Sequence, residues 1–213
     1  VKSLTLIVLF FFLAAKGICQ DPALSKNRDL EISIGTFSTV TTSHRMTVNP
    51  IISWSWDEYY IENRYNYEAL NSASINAGKR ILRKLKHVEI IPMAGVVFGS
   101  FKGVTGELQV SLDYSKWDLF IDNQYSYEYT HPAKSFYSNW SVIRYKLTNM
   151  FSVGLSDFFV WQPRGCPVFD KGITISVSWS KWSVRLYAYN YEKEKREYWL
   201  GVRYNLKVKL KGK

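Results

Sequence analysis

The chain has 213 residues, a formal net charge of +10 and 16% aromatic residues, led by 15 tyrosines. Two cysteines and three histidines without metal-ligand spacing exclude a disulfide framework and a zinc motif. The basic balance in a chain with an export signal points to anionic lipid or lipopolysaccharide as partner and away from nucleic acid.

That export signal is the opening stretch VKSLTLIVLFFFLAAKGICQDP. Lys2 supplies a positive start, Leu4 to Ala15 is an uncharged apolar run, and Gly17 and Cys19 are small residues placed for cleavage before Gln20. Residues 1–19 are therefore expected to form a secretory signal peptide, followed by a short segment over 20–28. The run is shorter than the roughly 20 residues a membrane-spanning helix needs. Cys19 is either removed with the leader or, in a lipoprotein, lipidated, although Lys16-Gly17-Ile18 departs from a lipobox at two positions.

From Asp29 onward the period is two, which argues strands. Leu30, Ile32 and Ile34 alternate with Glu31, Ser33 and Gly35, and Leu108, Val110, Leu112 and Tyr114 with Gln109, Ser111 and Asp113. In the last such run Tyr198, Leu200, Val202, Tyr204, Leu206 and Val208 face one way, and Trp199, Gly201, Arg203, Asn205 and Lys207 the other. The spacing predicts about twelve strands, with ten as an alternative count. They run over 29–39, 49–56, 57–68, 73–83, 88–98, 104–114, 117–129, 135–147, 150–161, 172–179, 182–191 and 197–208. Residues 29–208 thus form one β-domain, and 209–213 a basic tail. Many runs reach the ~9–11 residues that a tilted strand needs to cross a bilayer.

The connections alternate between tight turns, such as Asp57-Glu58, Ser115-Lys116, Thr148-Asn149 and Ser180-Lys181, and looser polar loops. Three tight turns are flanked by aromatics: Trp56 with Tyr59, Tyr114 with Trp117, and Trp179 with Trp182. Amphipathic rings gathered at one level are the mark of a membrane-interface girdle. Two places break the pattern. Arg80 to Lys86 lacks clean alternation and has a helix as its rival reading, with Lys79 and Arg83 falling on the apolar face. Asp157 lies on the apolar row of its strand, where a bulge near Ser156 would re-aim it.

Taken together, the chain resembles small bacterial outer-membrane β-barrel proteins. The resemblance implies an all-β, closed, antiparallel up-and-down transmembrane barrel in the cell outer membrane. Gly201, Tyr204 and Leu206 match the spaced positions of the C-terminal signal read by the barrel-assembly machinery, which the resemblance implies as a partner. Trp199 and the lysine-rich end depart from that signal.

In such a barrel the polar rows face the lumen. They would bring there Glu62, Arg64, Asp118, Asp122, Arg144, Arg185 and Arg203, with Glu58, Glu107, Asp113, Glu128, Lys146 and Lys207. Acids come mostly from the early and middle strands and bases from the late ones, so the two sets are expected to face each other across the interior. This gives either a salt-bridged structural or surface barrel, or a narrow channel for a small solute. The alternatives are a soluble lipocalin-like binding protein and a lipid-acting barrel enzyme. For the enzyme the candidates are Ser43 beside His44 and Ser135 near His131, which sequence spacing alone does not bring into nucleophile–base geometry. The residues require no catalytic group, cofactor or metal. Asn139-Trp140-Ser141 matches a glycosylation sequon by chance in a bacterial strand, and Cys166 reads as a free loop thiol.

Overall fold

The computed structural model describes residues 28–41, 46–82, 87–191 and 196–210. The expected signal peptide with Cys19, the loop residues Ser43 and His44, Arg83 and residues 211–213 lie outside them. Period-two patterning becomes β1 (Arg28–Thr41), β2 (Met46–Trp56), β3 (Tyr59–Tyr65), β4 (Ser72–Lys79), β5 (Ile81–Leu82), β6 (Val88–Gly99), β7 (Gly103–Tyr114), β8 (Trp117–Glu128), β9 (Phe136–Lys146), β10 (Phe151–Trp161), β11 (Val168–Trp179), β12 (Trp182–Tyr189) and β13 (Glu197–Leu210).

β4 and β5 are one barrel strand interrupted at Arg80, since both pair with β6. There the Arg80 N–H donates to the Glu58 carbonyl at 2.6 Å, one step beyond the Tyr59↔Lys79 pair, and the register against β6 is the same before and after it. The helix that rivalled a strand here is absent over Ile81–Leu82, which are extended. With this pair counted once, twelve antiparallel strands follow one another round the sheet. β1 lies between β2 and β13, and β4 lies against β6, so no strand is left with an open edge. The result is a closed up-and-down barrel. β13 runs to Leu210, so Lys209 and Leu210 pair with β1 instead of starting a tail.

Asp57, Ser115 and Ser180 open the two-residue turns with φ of 52°, 57° and 52°. That left-handed first residue matches the right-handed twist of the strands it joins. These turns lie at the same end of the barrel as Arg28 and Leu210, because Trp56 pairs with Leu30 while Thr41 pairs with Glu197 at the other end.

The distribution of polarity is inverted relative to a soluble protein. Ser72, Ser74, Asn76, Gln124, Ser126 and Glu128 are almost fully buried, whereas Ile75, Val96, Leu155, Ile173 and Leu186 are exposed on the alternate rows. Contacts between strands that are not neighbours identify the buried rows as the inner ones, as when Arg64 of β3 reaches Gln124 of β8. The exposed apolar band encircles the barrel and would be costly in water; it is a surface built for lipid. A soluble binder would need these same rows inside.

Ser33 and Asn205 are direct partners where β1 closes on β13. In a Cys166→Ser background, Ser33→Cys with Asn205→Cys is expected to form an intrachain disulfide in isolated membranes. Unboiled protein is expected to migrate apart from boiled protein in SDS gels. An open sheet gives neither result.

Candidate functional site

The lumen is the site, and its charges fall into tiers. At the end that carries the tight turns, most are paired with near neighbours along the wall. Lys207 meets Glu31 at 2.6 Å, Lys146 meets Asp113 at 2.6 Å, and Arg144 meets Asp118 at 2.5 Å. Arg80 bonds Glu89 and approaches Glu31 at 3.9 Å. Except for Arg144, which is buried, these side chains keep partial contact with water, so the exposed pairs contribute little to stability.

Farther in, on the wall of β3, β7 and β8, Arg64 is buried inside a nest of acids. Its guanidinium donates to Glu62 and to Glu107, and to Gln124 Oε1 at 3.1 Å. The loop after β3 folds into the mouth above it. The Tyr67 ring stacks on this guanidinium at 4.3 Å, and its hydroxyl donates to Asp122 at 3.4 Å. Burial, ahead of the Asp122 charge, pushes the Tyr67 phenol well above the usual range, so it stays a donor. Gln124 Nε2 in turn donates to Glu68 at 3.3 Å and Ser126 at 2.9 Å. One cation thus serves several carboxylates, and Glu68, Glu107 and Asp122 each keep one oxygen without a partner. The acidic wall carries its own arginine instead of waiting for the opposite wall, contrary to the expected cross-lumen pairing.

The opposite wall holds a feature that the sequence reading missed. Phe37 of β1, Trp140 of β9, Tyr187 and Tyr189 of β12 and Trp199 of β13 point inward and pack together, with Phe120 and Phe158 against them. Phe37 meets Trp140 edge-on at 5.3 Å, and Tyr189 meets Trp199 at 4.9 Å. Trp140 Nε1 donates to the Tyr189 hydroxyl at 3.0 Å and to Ser156 at 3.1 Å, whereas the buried Tyr187 hydroxyl has no hydrogen-bond partner among the described residues. The signal was available: each of these aromatics occupies the polar row of its strand. The Phe37 ring sits on Gly201, where a Cβ would come within 2.7 Å of it.

Between this wedge and the paired rim lie Arg185 and Arg203. Among the described residues neither has a hydrogen bond or a carboxylate within ion-pair distance; Arg185 interacts electrostatically with Arg144, Tyr187, Arg203 and, more weakly, with Asp118. Both line a cavity of about 10 Å³ with Gly35, Phe37 and Ser183, room for about one water. A glycine stands opposite each arginine of this group: Gly154 to Arg144, Gly201 to Arg185 and Gly35 to Arg203. At Gly154 and Gly35 the absent side chain leaves room for the stems of Arg144 and Arg203, while the space at Gly201 is taken by the Phe37 ring.

Elsewhere, Trp56, Tyr59, Tyr114, Trp117, Trp179 and Trp182 stand together at the turn end as cross-strand pairs. Trp117 packs on Tyr145 at 5.0 Å and Trp182 on Tyr204 at 4.8 Å. Gly201 faces inward, and Tyr204 and Leu206 lie on the outer row of β13. Ser135 Oγ accepts the Glu128 N–H at 3.0 Å, and His131 is exposed at the start of a short 3-10 turn, so the two are not joined as base and nucleophile. Cys166 is exposed in the loop between β10 and β11.

The fold and its lipid-facing band define a transmembrane barrel of the bacterial outer-membrane kind, which places the chain in an outer membrane. Solved structures agree on the fold. The "KdgM porin" superposes with a TM-score of 0.59 at 16% identity, over 81% of this chain and 98% of that one. The same porin "in complex with disordered oligogalacturonate" gives 0.60 at 16% identity, over 81% of this chain and 98% of that one. The NanC porin gives 0.60 at 11% identity, over 81% of this chain and all of that one. No family model matches the chain, and no curated protein does.

Replacing Arg64 by Ala strands Glu62 and Glu107 in a buried setting, which is expected to destabilise the barrel by about 3–5 kcal/mol. Urea unfolding of the refolded protein, followed by tryptophan fluorescence, measures it. Arg64→Lys is expected to recover part of the loss, because an ammonium lacks the fork that spans both carboxylates.

Proposed function

We propose that this chain is a non-enzymatic channel of the outer membrane with a narrow lumen that favours small anionic solutes. The observation that carries this is the pair Arg185 and Arg203, which line the lumen without a carboxylate at ion-pair distance, whereas Arg64, Arg80, Arg144, Lys146 and Lys207 each have one. Strongly charged residues retained within a membrane protein's interior mark a path or a site, and a ring of arginines selects anions. One porin of similar fold has been solved with an oligogalacturonate, a polyanion, which agrees in charge. In this reading the lipid and lipopolysaccharide around the barrel, and the assembly machinery that reads Gly201, Tyr204 and Leu206, are the remaining partners.

A second reading, a structural or surface barrel with a filled interior, is favoured by the packing of the loop-side half. There Ser126 and Glu128 are 0% exposed and Tyr189 is 1% exposed, so the resting lumen is nearly closed at that level.

Planar-bilayer recording separates the two. A channel gives small, anion-selective steps. Arg185→Glu with Arg203→Glu is expected to turn that selectivity towards cations, and Trp140→Ala to raise the conductance several-fold by removing the centre of the wedge. Silence in the wild type and in Trp140→Ala supports the filled barrel. Unchanged selectivity in the arginine variant removes the anion reading.

A further inference from the structure

The outer face carries a polar cluster that the channel does not use. β10 contains no bulge: its pairing with β11 runs without interruption from Phe151↔Val177 to Val160↔Val168. Asp157 therefore stays on the outer row, contrary to the expected re-aiming. It stands beside Ser141 of β9 and Lys171 of β11. Asn123 of β8 and Asn139 of β9 are partners one row nearer the loops.

Depth makes this cluster costly. On β8, Trp117 pairs with Tyr145 at the turn-side girdle and Tyr125 pairs with Tyr137 near the loops. Ile121 lies midway between Trp117 and Tyr125 and is the partner of Ser141. The row of Ser141, Asp157 and Lys171 is thus halfway between two aromatic levels, where an outward polar group meets hydrocarbon and finds no water.

The cluster satisfies itself only in part. Tyr137 donates to Asn123 Oδ1 at 2.7 Å, Asn139 Nδ2 donates to the same oxygen at 2.9 Å, and Ser141 donates to Asn139 Oδ1 at 2.9 Å. Among the described residues the Asn123 amide nitrogen has no acceptor, and the Asp157 carboxylate has no hydrogen-bond donor and no ion pair within 4 Å, its charge being felt only electrostatically by Lys171. The Lys171 ammonium turns instead towards the Phe169 ring, 5.1 Å away. Unused donors on β8 and unused acceptors on β10 thus flank β9 on either side. Next to Asn123 and Tyr125, Gly106 of β7 leaves open space outside the wall, since a Cβ there would meet nothing within 4 Å.

We infer that this face is the contact between two copies of the chain, paired about a two-fold axis that passes along β9. In a membrane such an axis runs along the bilayer normal, so β8 of one barrel faces β10 of the other and the reverse holds on the far side of the axis. The Asn123 amides of each copy then face the Asp157 carboxylate of its partner. Donor flank and acceptor flank are self-complementary, as a two-fold contact requires. The notch at Gly106 admits the neighbour's side chains close to the wall, as small residues do in membrane interfaces.

The test uses the full-length protein in lipid nanodiscs. Mass photometry is expected to find twice the mass of the chain. Replacing Asn123, Asn139 and Asp157 by Leu is expected to halve that mass while keeping the boiling-dependent gel shift that reports a closed barrel. In a Cys166→Ser background, Ile143→Cys, on the outer row of β9 next to the cluster, is expected to cross-link copy to copy in native membranes. A single-chain mass in the wild type, a triple-Leu variant that stays double while folded, or a different protein co-purifying at this face each overturns the inference. If the triple variant loses its gel shift, the Ile143→Cys cross-link decides, and its absence counts against the pairing. Conductance has no part in these readouts, so failure here leaves the channel reading intact and the converse also holds.

Discussion

In a hydrocarbon layer no backbone N–H or C=O can turn to water, so each must find its partner inside the sheet. Everything else in this barrel follows from that constraint. The ladder between β1 and β13 joins the two ends of the chain, and the pairing of β4 with β6 carries the sheet past the interruption at Arg80. Once the sheet is closed, the strict alternation of strand side chains divides the protein into two surfaces with opposite solvents. One is apolar and meets lipid. The other is polar and is confined to a narrow interior.

That confinement shapes the lumen. Polar side chains pressed together away from bulk water must pair with one another or remain near water. The wall of β3, β7 and β8 meets this demand by burying Arg64 among acids, and the rim meets it with short-range pairs. The late-strand wall does so differently. Its outer half is filled by aromatics, with Trp140 bonded to Tyr189 and Trp199 to Glu197. Among the described residues Arg185 and Arg203, beneath that wedge, face the cavity without a carboxylate at ion-pair distance, and the functional reading rests on them. Aromatic contacts of this kind add about 0.5–1.5 kcal/mol per pair beyond their burial, so the wedge stiffens the wall that carries the arginines.

Most of the barrel was legible from period two, because the two surfaces have different solvents and each strand records both. The turn-side aromatics were legible for the same reason, since Trp56, Trp117 and Trp182 sit beside turns that two-residue spacing locates. The misreadings came where alternation was treated as a rule about polarity alone. Asp157 was expected to be turned inward because carboxylates avoid lipid, yet the backbone register holds it outside. The second strand looked short because Met46 to Val48 read as loop, but their backbone continues the ladder with β1. Arg80 to Leu82 read poorly because their side chains lack clean alternation, yet the backbone register against β6 carries through from Gly78 to Leu82.

Residue order alone indicated about twelve strands, the face to which most side chains point and the end at which the tight turns gather. These are local properties, set by a two-residue repeat and by the backbone chemistry of turns. Tertiary closure alone decided which inward residues meet. Arg64 reaches Glu107 across 43 positions of sequence and Trp140 reaches Tyr189 across 49. Such meetings depend on the circumference and stagger of the closed sheet, quantities that no single strand encodes. Hence a list of lumen charges could be drawn up from the chain, while the identity of the two arginines left without acids, and of the aromatic wedge above them, waited on the barrel.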